Sequence, residues 1–303
     1  MRCKGRQRKL QKSSDGKNAV ENLDISIEKG RIYGLVGTNG SGKSTFLRTV
    51  CGVYYPDGGS VTVDGEEVYE NVSAKNKVFF VSDDMYFLPN SSIESMSQLY
   101  KGIYPTWNQQ KYDNLTNKFP IDKNAKVKNF SKGMKRQAAI ILALSCQPEY
   151  LLLDEAFDGL DPVIRVAVRK LIAEEVLERN MTVIISSHNL RELEDFCDMV
   201  GILHNGRLIM QHTMDTLSDR YCKAQVVIDK NSTVLDNFKD EKVLSIKKSG
   251  SIYTVTCAMS CDEAEKFLGR FNPVFMDFIP LTLEEVFVSE MEAIGYDTNN
   301  IIF

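Results

Sequence analysis

At 303 residues, with 43% hydrophobic and 26% charged side chains, the chain is long enough for a large globular core, alone or with a smaller companion. Its formal net charge of −4 lacks the basic excess that phosphate-backbone binding needs, which sets nucleic acid aside as the main partner. Seven cysteines without C-x-x-C spacing fit reduced thiols in a cytoplasm rather than a disulfide framework, and the longest apolar run, Ala138 to Leu144, is far short of the ~20 residues that cross a bilayer.

Arg2, Lys4, Arg6, Arg8, Lys9 and Lys12 make a basic start with no apolar stretch behind it. That predicts a solvated tail over 1–18 and excludes a secretory signal. Leu23, Ile25 and Ile27 alternate with polar residues and end at Glu28-Lys29-Gly30, a half-buried strand and its turn. The apolar run Ile32 to Val36 then meets Gly37-Thr38-Asn39-Gly40-Ser41-Gly42-Lys43-Ser44-Thr45, followed by Phe46, Leu47 and Val50. This reads as strand, phosphate loop, helix. The glycines let successive N–H groups turn inward, where they and the helix N-terminus bind oxyanions. Lys43 would reach the β- and γ-phosphates of a nucleotide, and the Ser44 hydroxyl would ligate Mg²⁺.

Beyond that helix, Pro56-Asp57-Gly58-Gly59 is a turn, and Val61, Val63 and Val68 flank Asp64-Gly65 as a small hairpin. Val78 to Val81 reads as a buried strand. From Asp83 to Phe130 the apolar period becomes helical, with Ser91 to Glu94 as a capping box and Ile93, Met96, Leu99, Tyr100 and Ile103 on one face. Pro105, Trp107, Tyr112, Leu115 and Phe119 continue it, so the segment predicts a helical insertion between two strands of a parallel sheet. Trp107 has no basic patch around it and is assigned to packing.

Ser131-Lys132-Gly133-Met134-Lys135-Arg136-Gln137 leads into a helix whose stripe is Met134, Ala138, Ile141, Leu142 and Ser145. Ser131 is a natural N-cap; taken alone this is an ordinary capped helix, although its N-terminus is also a place for an anion. Tyr150 to Leu153 is an apolar strand ending in Asp154 and Glu155. In a phosphate-loop protein the second Mg²⁺ anchor belongs at such a strand end, so Asp154 would hold the metal's water shell and Glu155 would face the attacking water. The turn Asp158-Gly159-Leu160-Asp161-Pro162 and a helix through Val168, Leu171, Ile172 and Val176 follow. Met181 to Ile185 is another buried strand, closed by Ser186-Ser187-His188. His188, at that strand end, is assigned to the γ-phosphate, whereas His204 and His212 flank an Asn205-Gly206 hairpin at the surface.

In order and spacing, the phosphate loop, Ser131 to Met134, Leu153-Asp154-Glu155, Asp158 to Asp161 and Ser187-His188 resemble an ABC transporter ATP-binding subunit over roughly Ala19 to His212. The wording Phe130 to Gln137, the segment Tyr104 to Trp107 and the ending Thr282 to Phe287 are similar to bacterial type-2 exporter subunits, including those associated with antibiotic-peptide resistance. The resemblance implies an α/β phosphate-loop NTPase cassette: a parallel core sheet, antiparallel hairpins and a helical subdomain at about 84–147, within an ATP-binding domain at 19–217. It further implies a homodimer, or a heterodimer with a second ATP-binding subunit, that encloses two ATPs with Mg²⁺. Each nucleotide would lie between one chain's phosphate loop and the other's Ser131 and Gly133. Glu155 would then be the general base, His188 would steady the γ-phosphate, Lys43 would bind it and Asp161 would contact the other subunit. The partner would be a separate transmembrane permease, met by the helical insertion at the cytoplasmic face of the membrane.

Departures from the pattern are specific. Asp83 stands where the family usually has a Gln that approaches Mg²⁺, and is carried over as a metal residue that adds negative charge beside the phosphates. Lys132 and Met134 replace commoner Gly and Gln, and Ala156 replaces Pro. The expected first strand, with an aromatic that stacks on adenine, is absent, which predicts weak nucleotide binding. Past Leu217, strands at Val226–Ile228, Val243–Ile246, Tyr253–Cys257 and Val274–Phe278, a helix at Asp262–Phe271 and a last helix capped by Thr282 and Glu285 and ending near Gly295 predict a small α+β appendage over 218–303. Two other readings are a soluble cassette acting on ribosomes or DNA, which would carry two cassettes or long coiled-coil insertions, and a regulatory cassette with little turnover, which retention of Lys43, Asp154, Glu155 and His188 opposes.

Overall fold

A computed structural model describes residues 2–4, 10–11, 18–228, 240 and 242–293. Arg6, Arg8, Lys9, Lys12 and the expected helix end at Gly295 lie outside these described residues. The chain packs as two units, 1–189 with 196–211, and 190–195 with 212–303.

The first unit is built on a six-stranded sheet in the order Arg207–Thr213, Met199–His204, Ile32–Val36, Thr182–Ser187, Tyr150–Asp154, Val78–Val81. The pairings from Val78–Val81 through Met199–His204 are all parallel. Ile32–Val36, Tyr150–Asp154 and Thr182–Ser187 are buried at every position. Such strands, covered on both faces, must be continuously apolar, and that is how they read in the sequence. Because the five strands run the same way, Val36, Val81, Asp154 and Ser187 end at one edge. The loops that follow them therefore share one crevice.

A second, antiparallel sheet has the order Asp24–Ser26, Arg2–Lys4, Ser60–Val63, Glu66–Glu67. Its hairpin turns at Asp64 (φ 54°) and Gly65 (φ 84°), the left-handed pair of a tight two-residue turn. Arg2–Lys4, expected within a solvated tail, is instead a strand, with Cys3 opposite both Ile25 and Val61. Leu10–Gln11 likewise pairs with Asn18–Val20. The first strand held to be missing is thus present. Its charged residues carry no strand signal, because the pairing is imposed by the two flanking strands and not by local hydropathy.

The helical insertion is also divided differently from the expectation. Ile93–Ile103 is capped by Ser92, whose Oγ accepts from Ser95 N while Ser95 Oγ accepts from Ser92 N. Ser91 and Glu94 do not form the box, since the Glu94 carboxylate accepts from Tyr112 Oη at 2.9 Å and pairs with Lys123 at 3.4 Å. Tyr104 is extended before Pro105, where the proline ring excludes helical backbone, so Gln109–Lys118 is a separate helix with Asn108 as its N-cap. Ile93 and Met96 are buried, but Leu99 and Ile103 of the same predicted face are exposed.

The second unit carries an antiparallel sheet in the order Val243–Ser249, Ile252–Cys257, Cys222–Val227, Phe275–Ile279. Helix Cys261–Gly269 packs Ala264 and Leu268 against Ala224, Val226 and Val255. Helix Leu283–Ala293 starts from Thr282, and Glu285 Oε2 accepts from Thr282 N while Thr282 Oγ1 accepts from Glu285 N, as its sequence predicts.

Candidate functional site

The phosphate loop leaves the strand at Val36 and enters helix Lys43–Val50. Gly42 has φ 107°, and a Cβ there would lie 2.2 Å from the Ala19 carbonyl oxygen, so no other residue fits. A Cβ on Gly37 would meet the Leu203 carbonyl oxygen at 2.3 Å, whereas one on Gly40 would meet nothing. The loop is therefore clamped at its base and open at its crown. The Lys43 ammonium is folded along it, donating to the carbonyls of Gly37 (2.6 Å) and Thr38 (3.2 Å). Burial pulls this ammonium below its ordinary range, while Glu155 and Asp154 push it back up.

Two strands over, Asp154 is buried and its Oδ1 accepts from Ser186 Oγ at 2.5 Å. The next residue, Glu155, adopts φ 48°, a left-handed conformation that is strained for a side chain with a Cβ. Its N–H is held there by the carbonyl and the hydroxyl of Ser186, at 3.1 and 3.2 Å. The reversal swings the Glu155 carboxylate across the strand ends. One oxygen stands 3.6 Å from Lys43 Nζ and the other 2.9 Å from His188 Nδ1. Lys43, Asp154, Glu155 and His188 are thus brought into a single cluster, from three neighbouring strand ends.

Ser131 and Gly133 are placed differently. Ser131 Oγ accepts from Met134 N at 3.2 Å, capping its own helix, and a Cβ at Gly133 would meet the Gly159 carbonyl oxygen at 2.6 Å. Asp161 spends Oδ1 as the N-cap of helix Pro162–Arg179, accepting from Val163 N and Ile164 N. Asp83, expected beside Mg²⁺, has its Oδ1 2.5 Å from Arg136 Nη2 and 3.7 Å from Lys132 Nζ.

Two participants were missed in the sequence. Ser186 reads in the sequence only as part of a strand ending, and its available signal is a hydroxyl two residues before His188 on the strand beside Asp154. Arg136 has no such signal, because nothing local marks an arginine in a helix as buried.

The site fits a triphosphate with its metal. The Ser41 hydroxyl is buried without a hydrogen-bond partner among the described residues, the Gly40 crown is open, and Lys43 lies along the loop. For Mg²⁺ the donors would be the half-buried Ser44 hydroxyl and the Asp154 carboxylate, a sparse oxygen set suited to an ion that keeps waters and phosphates. No cluster of three His, Cys, Asp or Glu among the described residues offers an all-protein cage.

The pattern of the ABC transporter family matches residues 20–158. The ABC transporter ATP-binding protein YtrB of Bacillus subtilis (strain 168) is 30% identical over 283 residues, which is 93% of this chain and 96% of that one. The bacitracin transport ATP-binding protein BcrA of Bacillus licheniformis is 33% identical over 214 residues, 70% of each chain. A solved ATP-binding subunit of an ABC transporter superposes with a TM-score of 0.65 at 25% identity, over 71% of this chain and 90% of the other.

Proposed function

This chain belongs to the ABC transporter ATP-binding family, and we propose that its ATPase activity drives export through a separate permease by closing and reopening a sandwich dimer. The observation that carries the reading is the Glu155 carboxylate held between Lys43 and His188. When a γ-phosphate enters the loop, Lys43 exchanges its contact with Glu155 for the phosphate oxygens. That releases the carboxylate to orient a water and accept its proton. Ser44 and Asp154 would hold Mg²⁺, which would supply positive charge against that developing on the phosphates. His188 turns from Glu155 toward the same phosphate.

Ser131 and Gly133 would meet the nucleotide bound by a second copy, or by a similar subunit, through the N-terminus of their helix. Loss of the γ-phosphate removes the charge that joins two such helix ends, and the pair reopens. No helix among the described residues is long and apolar enough to cross a membrane, so the path for cargo is the permease's. Exposed Tyr86, Leu88, Leu99 and Ile103 on the helical insertion support it as the docking surface for the permease, at which the subunit would sit on the cytoplasmic face of the membrane. The bacitracin transport relative suggests an antimicrobial peptide as cargo.

Glu155→Gln tests the reading. With MgATP the variant is expected to elute on sizing at twice the monomer mass and to hold ATP. Elution as a monomer at saturating MgATP would overturn the sandwich.

A further inference from the structure

The guanidinium of Arg136 is fully buried, on helix Lys132–Ser145, at the edge of the site. Its Nη2 donates to Asp83 Oδ1 at 2.5 Å and its Nη1 to the Asp154 carbonyl at 3.5 Å, while Nε has no hydrogen-bond partner among the described residues. One turn earlier on the same helix, Lys132 Nζ stands 3.7 Å from the same Asp83 oxygen and 2.9 Å from Asp158 Oδ2. Residues four apart on a helix share a face, so the two cations converge on Asp83. Asp83 follows the strand Val78–Val81 and Asp158 follows Glu155. The loops after two neighbouring strands are thus fastened to the beginning of the Ser131 helix.

We propose that Asp83 is a positioning residue that acts through Arg136, fixing the Ser131 helix against the strand ends, and is not a ligand of Mg²⁺. Two facts separate Asp83 from Asp154. The Asp83 oxygen faces a guanidinium and an ammonium, so a divalent cation brought to it would sit beside two positive charges. The Asp154 oxygen is oriented by a neutral hydroxyl, which leaves its charge available. A buried guanidinium also needs an anion, and among the described residues Arg136 pairs with Asp83. Asp83 therefore neutralises Arg136 and adds no net charge beside the phosphates. The inference rests on the ATP-site reading for what the helix does, and on geometry alone for the pair.

The test uses the full chain with Asp83→Asn, Arg136→Gln and the double variant. Two properties are measured: the Mg²⁺ concentration that half-saturates binding of a fluorescent ATP analogue, and the thermal midpoint without nucleotide. A positioning pair leaves the Mg²⁺ requirement of Asp83→Asn within about twofold of the parent. It also lowers the melting point of each single variant by roughly 5 °C, with the double variant melting no lower than the worse single. A tenfold or larger rise in the Mg²⁺ requirement of Asp83→Asn, or melting losses that add in the double variant, would overturn the pair. Should Arg136→Gln not fold, the Mg²⁺ titration of Asp83→Asn decides by itself. If the parent binds no ATP analogue, the ATP-site reading falls, while the melting comparison still decides the pair.

Discussion

Glu155 Oε2 lies 2.9 Å from His188 Nδ1, while the same carboxylate's Oε1 lies 3.6 Å from Lys43 Nζ. One side chain thereby spans the base of the phosphate loop and the end of the neighbouring strand. Glu155→Gln keeps the shape and removes the charge that accepts a proton. Steady-state hydrolysis, followed by phosphate release, is expected to fall by about 10²–10⁴-fold with ATP binding retained. A rate within a few-fold of the parent would take Glu155 out of the chemistry.

Ser186 orients both acids: its hydroxyl donates to Asp154 and accepts from the Glu155 N–H. Ser186→Ala leaves the Glu155 backbone less well held in its left-handed conformation. The expected outcome is a kcat lower by about tenfold, equivalent to ~1.4 kcal/mol at the barrier, with little change in ATP affinity. Urea unfolding should show a loss of about 1–3 kcal/mol for the orphaned buried acid. An unchanged kcat would assign Ser186 to stability alone.

Residues 1–18 contain no Phe, Tyr or Trp, so the stretch that includes the strand Arg2–Lys4 offers no aromatic to stack on adenine. Stacking is worth about 1–3 kcal/mol per base in nucleic-acid complexes. The isolated chain should bind ATP weakly, in the range of tens of micromolar or above by the affinity arithmetic. Submicromolar binding by calorimetry would contradict this.

Asp64, in the hairpin turn, accepts from Tyr150 Oη at 2.6 Å and pairs with Lys29 at 2.8 Å and Lys77 at 3.3 Å. Burial pushes its carboxyl up, but Lys29, Tyr150 and Lys77 together bring it down to about 2. A depressed carboxyl gives stability that is whole above its ordinary value near 4 and is lost as the pH falls through about 2. Urea unfolding from pH 5 to pH 2 should lose on the order of 1–2 kcal/mol through this group, allowing for its partial exposure. Asp64→Asn should be less stable at pH 7 and flatter over the acid limb. A parallel acid limb in the variant would assign the loss to other carboxyls.

The parallel core was legible because Ile32–Val36, Tyr150–Asp154 and Thr182–Ser187 are buried on both faces, so burial and hydropathy coincide along them. The clustering of Lys43, Asp154, Glu155 and His188 was legible for the same reason, since parallel strands deliver their ends to one edge. Three features were not legible. The strand Arg2–Lys4 is made by its neighbours and has no hydropathy of its own to report. The capping box moved by one residue because Tyr112 and Lys123, distant in sequence, claim Glu94. Asp83 resembles a metal residue by its position alone, and its partner Arg136 lies 53 positions away in the sequence.

The strand Arg2–Lys4 lies between Asp24–Ser26 and Ser60–Val63, with Arg2 opposite both Ser26 and Thr62. It precedes both neighbours along the chain, and the second of them, Ser60–Val63, is translated last of the three. Until then the growing chain carries open backbone edges that invite pairing with another molecule. The order of synthesis thus runs against the order of assembly, and the moment of greatest exposure to aggregation falls before the phosphate-loop cassette can shield it.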